Sequence, residues 1–205
     1  MASGPLPRRT SDVARGFKRS VTGRYVAQFE PEERLLLLDL FEQLSQLVEP
    51  VVRPNADPLE SLVGIDPYAE RPEDPALARL VPDAYDDDEL ADEFRRFTQR
   101  GLLEAKAINA HTVRDDLQRS GGKLTLSAEK AQIWATTLTD LRLTLATRIG
   151  LTNDADDDLR DLPADDPRAE LWAIYDFLSW LQESLVLALM PELRSDPVGR
   201  DLLDD

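Results

Sequence analysis

Cysteine is absent from this 205-residue chain, histidine occurs once and methionine twice. The lack of cysteine excludes disulfides, thiol nucleophiles, thiol redox sensing and every cysteine-ligated metal site. With a single histidine, the usual nucleophile–base pairs are nearly exhausted. No run approaches the roughly 18 uninterrupted apolar residues that a membrane span needs. The N-terminal MASGPLPRRTSDVARG is basic but lacks the apolar segment of a secretory signal. There is no Gly-x-Ser-x-Gly elbow, phosphate loop or dinucleotide fingerprint, and no internal repeat. These absences set an expectation of a cytoplasmic protein with no membrane segment, no cofactor, no metal and no catalytic centre.

What is present is enough apolar residue to build a core, 42% of the chain, and a large excess of acid, with a net charge of −16. The charge is unevenly spread. Residues 1–24 hold six bases (Arg8, Arg9, Arg15, Lys18, Arg19 and Arg24) against the single acid Asp12, a net +5 that leaves −21 for the rest. A body so acidic repels phosphate backbones at long range. The acidic body is therefore not expected to bind nucleic acid, which leaves residues 8–24 as the segment that could.

Along the chain, residues 1–14 read as a flexible basic tail, 15–190 as a single helical domain and 191–205 as an acidic C-terminal tail. Residues 16–29 place aromatic and β-branched residues around a glycine turn, which predicts a β-hairpin. Pro31 with Glu32 and Glu33 predicts a helix start. Leu37, Leu40, Phe41, Leu44, Leu47, Val48 and Val51 then form a core-facing stripe up to about residue 52. A proline-rich connection spans 53–85, with short helical turns expected at 58–64 and 75–81. A second long helix is predicted from Asp86 to about Arg119. Its inner face is read as Leu90, Phe94, Phe97, Gly101, Ala105, Ile108 and Thr112, the small residues admitting a neighbouring helix. Gly121-Gly122 ends it, Lys123–Leu126 alternates like a strand, and Ser127 caps a third helix running to Ile149. An acidic loop, 153–166, precedes a last helix over 167–190. The expected fold is mainly α: a four-helix core with a small antiparallel sheet from the N-terminal hairpin and the strand before helix three.

Candidate metal sites are weak. His111 and Asp115 lie one helical turn apart, but a site needs a third ligand, and Ile108 stands where a di-iron helix would carry Glu. Asp154, Asp156 and Asp158 imitate the start of a calcium loop. Leu159 stands where its tight turn needs glycine, and Asp165 where a bidentate Glu belongs. Both patterns read better as solvated helix surface and solvated linker.

The last two helices are more informative. On a helical wheel about Trp134, the apolar stripe of residues 134–150 is flanked by Arg148, about 40° to one side, and Arg142, about 80° to the other. In the last helix Gln182 falls within an apolar face containing Tyr175 and must find hydrogen-bond partners. Trp172, Phe177 and Trp180 project from the other sides, and Trp180 lies about 180° from Leu171. A helix apolar nearly all round is either central to the fold or covered by a partner. Asp140, Arg142, Arg148, Tyr175, Trp180 and Gln182 are accordingly the candidate residues for a buried polar site or an interaction site. A partner-binding role for the aromatic face requires at least one of its rings to be substantially exposed, Trp180 foremost.

The blocks W-x3-LTDLRLTLATRIG (134–150) and IYDFLSWLQESLV (174–186), with GFKR…GRYVAQFEPEERLLLLDLFEQL near the N-terminus, resemble an actinobacterial family of domains of unknown function, the AosR-like proteins. The resemblance covers most of residues 15–190. It implies a cytoplasmic helical protein in transcriptional control of oxidative stress. It also implies protein partners such as a sigma factor or other transcription machinery, and no catalytic residues. Redox sensing in that setting depends on cysteines, which this chain lacks, so the partner-binding role is what carries over. Three readings follow: a non-catalytic regulator contacting proteins through its last two helices, including as a homodimer; a DNA-binding regulator using the basic arm; and a small-ligand-binding protein or enzyme with a pocket between the last helices.

Overall fold

A computed structural model describes residues 15–50, 65–151, 162–163 and 165–190. The two tails, the expected turn at 58–64 and the calcium-like aspartates of the acidic loop lie outside them, as does Val51. The described chain is mostly helical with a small sheet, in the order β1 (Arg15–Arg19), β2 (Tyr25–Gln28), α1 (Pro31–Val48), α2 (Pro75–Leu80), α3 (Asp88–Arg119), β3 (Lys123–Leu126), α4 (Ala128–Ile149) and α5 (Pro167–Leu189).

The sheet follows from period-2 alternation. Its strands are antiparallel in the order β1-β2-β3, with Tyr25 opposite Leu126 and Ala27 opposite Leu124. Those four residues and Phe17 are buried, while Gln28, Lys123 and Thr125 on the other face are exposed. Gly122 accepts from Phe29 N–H at 2.9 Å through its own carbonyl and sits at φ 105°, a backbone that L side chains rarely adopt. That junction ties β2 to the turn before β3.

Pro31 opens α1, and the Glu30 N–H donates to Glu33 Oε2 at 2.9 Å. Leu37, Leu40, Phe41, Leu44 and Val48 are buried, the stripe expected from spacing. The helix ends at Val48 rather than near residue 52, because Pro50 disfavours helical backbone at Glu49 before it. Trp134, fully buried on α4, centres the core: its ring meets Phe41 at 5.6 Å, Phe17 at 5.7 Å and Phe29 at 6.4 Å. Thus sheet, α1 and α4 share one aromatic nucleus. α1 packs on α3, and α5 packs on α4 and β1.

The face of α3 differs from the expectation. Asp87 caps the helix, accepting from Leu90 N–H at 3.0 Å. The buried side is Ala91, Arg95, Leu103, Ala107, Ala110, Val113 and Leu117, whereas Leu90, Phe94, Phe97, Gly101, Ala105 and Ile108 are exposed. The chain carries two apolar stripes on this helix about half a turn apart. The one with Ala107 and Ala110 faces inward, because short side chains allow α1 and α4 to pack closely. Gly101 admits no neighbouring helix: nothing lies within 4 Å of where its Cβ would stand. Arg95 can occupy the inward face because Asp83 and Asp92 both accept from its guanidinium.

Candidate functional site

Arg142 projects from α4 toward α5, where three side chains on consecutive turns receive it. Its Nε donates to Ser179 Oγ at 2.9 Å, Nη1 to Gln182 Oε1 at 2.8 Å and Nη2 to Tyr175 Oη at 3.0 Å. The guanidinium carbon also lies 5.0 Å from the centroid of the Tyr175 ring. Gln182 completes its amide by donating to Thr139 Oγ1 at 2.6 Å, and Ser179 donates to the Tyr175 carbonyl at 2.7 Å. Trp172 stacks on Tyr175 with centroids 5.5 Å apart. The whole arrangement is half-buried.

Its electrostatics are unusual for so acidic a chain. Every acceptor around Arg142 is neutral, and among the described residues no carboxylate pairs with it. Three of its five N–H groups are used among the described residues, which leaves two without a described partner. A cation held in a fixed fork by neutral groups retains its capacity for a carboxylate or carbonyl from outside.

Arg142, Tyr175 and Gln182 therefore meet, whereas Asp140, Arg148 and Trp180 lie elsewhere. Asp140 stands two residues before Arg142, some 200° round the helix. It is buried and accepts from Lys106 Nζ of α3 at 2.6 Å. Arg148 Nη2 donates to Asp74 Oδ2 at 2.6 Å, and the other Asp74 oxygen caps α2 by accepting from Ala76 N–H at 2.7 Å. Burial pushes the Asp74 carboxyl up, but the bonds from Arg148, Ala76 and Leu77 outweigh it and hold it below its ordinary value. Trp180 is half-buried rather than substantially exposed, as are Trp172 and Phe177. Its ring carbon Cζ2 lies 3.2 Å from where a Cβ on Gly16 would stand, and Phe17 N–H donates to Ser184 Oγ at 2.9 Å. Strand β1 thus covers the outer side of α5 that the helical wheel left open. Ser179 and Thr139 were not singled out by sequence. Ser179 follows Tyr175 by four residues and precedes Gln182 by three, a spacing that puts it on their face.

Among the described residues no three His, Cys, Asp or Glu side chains cluster so as to hold a metal ion. His111 faces Glu49 at 3.9 Å near solvent, while Asp115 pairs with Arg119 at 2.8 Å. No helix among the described residues is long and apolar enough to cross a membrane.

Comparison with known proteins places the chain in a family. The chain is 30% identical over 207 residues to the oxidative stress regulator AosR of Mycobacterium tuberculosis and to that of Mycobacterium bovis. It is 33% identical to a putative oxidative stress regulator AosR of Mycobacterium leprae. In each case the match covers 92% of this chain and 94% of the relative. These relatives are named as regulators, not as enzymes. No solved structure matches the chain. The family model described as a domain of unknown function, DUF2017, matches residues 14–189, and the chain belongs to that family.

Proposed function

We propose that the protein is a non-catalytic regulator acting in the cytoplasm through protein–protein contacts, in transcriptional control under stress, with the α4–α5 seam as a contact face. The observation that carries this reading is Arg142, a guanidinium ringed by Ser179, Gln182 and Tyr175 and without a described carboxylate partner in a chain of net charge −16. The seam supplies a fixed cation, two of whose N–H groups have no partner among the described residues, and arginine is enriched in interface hot spots. An acidic side chain or a peptide carbonyl of a partner fits it. The name and coverage of the relatives support the regulatory setting, and a sigma factor or RNA polymerase subunit is the partner class that setting suggests.

A second reading, DNA binding through the basic arm, is favoured by one feature. Arg15, Lys18, Arg19 and Arg24 are all exposed on the β1–β2 hairpin and form no ion pair among the described residues. Affinity capture from native extract, with and without nuclease, separates the two. Retention of a transcription protein after nuclease, lost in Arg142→Ala with an unchanged circular dichroism spectrum, is expected. Recovery of that protein only through DNA, with Arg142→Ala behaving as wild type, would overturn the first reading in favour of the second.

A further inference from the structure

Two stretches of this acid-rich chain hold no acid, residues 15–29 and 117–128, and the fold lays parts of both side by side in one sheet. The register sets Arg15 opposite Gln28 and Gln28 opposite Lys123, so one row crosses all three strands. Lys18, Val26 and Thr125 form the row beside it. Cross-strand partners share a face, and this one is turned away from the core: Arg15, Lys18, Gln28, Lys123 and Thr125 are exposed and Val26 is half-buried. Arg19 and Arg24 are exposed at the hairpin end. None of these five bases has an ion-pair partner among the described residues, whereas Arg119 pairs with Asp115 at 2.8 Å. Of the acids that border the two stretches, Asp116 is paired with Lys130. Glu30 and Glu129 stand at the N-terminal ends of α1 and α4, where the positive helix dipole offsets them.

We infer that this sheet face is a contact surface for the phosphate backbone of duplex DNA, with Lys123 as a contact outside the basic arm. The inference rests on the DNA-binding reading above and moves its contacts from the arm onto a folded surface. Charge selects a polyanion. At physiological salt, charges more than ~8 Å away are largely screened, so the local excess of bases outweighs the net charge of −16. The residue types choose among polyanions. The aromatic rings of the sheet, Phe17, Tyr25 and Phe29, are all buried. The face therefore offers no platform for stacking unpaired bases and no aromatic anchor for a bilayer surface. Protein–protein interfaces are depleted in lysine and enriched in aromatic residues, the opposite of this composition. What remains is an array of cations interleaved with the neutral groups of Gln28 and Thr125, the side chains that hold phosphate and sugar without reading sequence. Arg15 and Lys123 stand about 10 Å apart across the strands, and the two rows about 7 Å apart along them. A duplex carries a charge every ~1.7 Å of its axis, so several phosphates are within reach at once.

Fluorescence anisotropy of the full chain with a short labelled duplex, titrated at salt concentrations from about 50 to 200 mM, tests this. With five contacts, the slope of log K against log salt is expected near about −4.5, a roughly 500-fold loss of affinity over that range. Lys123→Gln and Lys18→Gln should each reduce the slope by about 0.9, with circular dichroism unchanged because both side chains are exposed. Arg79→Gln removes the same charge from an exposed site on α2 and should leave the slope as it is. Two duplexes of unrelated sequence should bind alike. A slope moved by Arg8→Gln and Arg9→Gln but not by Lys123→Gln would overturn the sheet contact and leave the arm reading standing. A slope moved as much by Arg79→Gln would overturn it as well, since net charge and not the face would then govern binding. No binding of duplex at the lowest salt would overturn both readings, and capture by phosphatidylglycerol vesicles in its place would assign the face to a membrane surface.

Discussion

Lys106 and Asp140 join α3 to α4 through one buried contact, and cutting it from either side should not cost the same. Asp140 Oδ1 accepts from Lys106 Nζ at 2.6 Å, with side-chain exposures of 6% for the acid and 19% for the lysine. Lys106→Met leaves an uncompensated carboxylate on a short, enclosed side chain. Breaking a buried pair in this way costs about 3–5 kcal/mol, and the partial exposure of the lysine places the expectation near the lower end, about 3 kcal/mol. Asp140→Leu leaves a lysine whose long stem can carry its ammonium to water, so about 1–2 kcal/mol is expected. In the double variant no charge is buried, and apolar residues of similar volume should restore stability to within about 1 kcal/mol of wild type. Urea denaturation reads all four proteins. With a slope of about 2 kcal/mol/M, Lys106→Met lowers the midpoint by about 1.5 M. Additive costs in the double variant, or a Lys106→Met midpoint within about 0.3 M of wild type, would refute the reasoning.

Two further outcomes are expected. Gly16→Ala places a methyl 2.7 Å from Ser184 Oγ and 2.9 Å from Ser184 Cβ. It should therefore destabilise by about 1–3 kcal/mol and shift tryptophan fluorescence through Trp180; an unchanged melting curve and spectrum would mean that β1 does not dock tightly on α5. Asp166, hydrogen-bonded by the Arg168 side chain and then by the Arg168 N–H, has its carboxyl held down to about 2 from 3.8. Because the folded state releases this proton more readily than the unfolded chain, its support of the α5 start is complete above pH 3.8 and is lost as pH falls through about 2. Carboxyl NMR titration should show an inflection near 2 that returns toward 3.8 in Arg168→Gln, and an inflection near 3.8 in wild type would exclude the pairing.

Much of the site was legible in part. A wheel of α4 put Arg142 beside the apolar stripe, and the demand that Gln182 find partners followed from burying a polar amide in an apolar face. The pairing of the two could not be read off, because it depends on the rotation of α5 against α4, a relation between residues forty positions apart. Arg148 looked equivalent to Arg142 on the wheel, yet it serves Asp74 because α2, a six-residue helix from the proline-rich stretch, packs at that end of α4. Trp180 looked outward because a wheel of one helix contains no sheet. Strand β1, more than 160 residues earlier, closes over it by way of Gly16.

By itself the sequence determined most of the elements: prolines and acidic or serine caps set helix starts, glycines or a following proline set ends, and alternation set the strands. These are local properties, decided within a few residues by backbone sterics and hydrogen bonding. It also determined the limits on chemistry, since no fold can supply a thiol to a chain without cysteine. The tertiary structure decided which side of each helix is inside. On α3 both sides are apolar, so periodicity alone was ambiguous and favoured the larger residues, Phe94, Phe97 and Ile108. Packing selected the opposite side, because Ala107 and Ala110 let α1 and α4 come close enough to exclude water, and the bulkier stripe was left facing out.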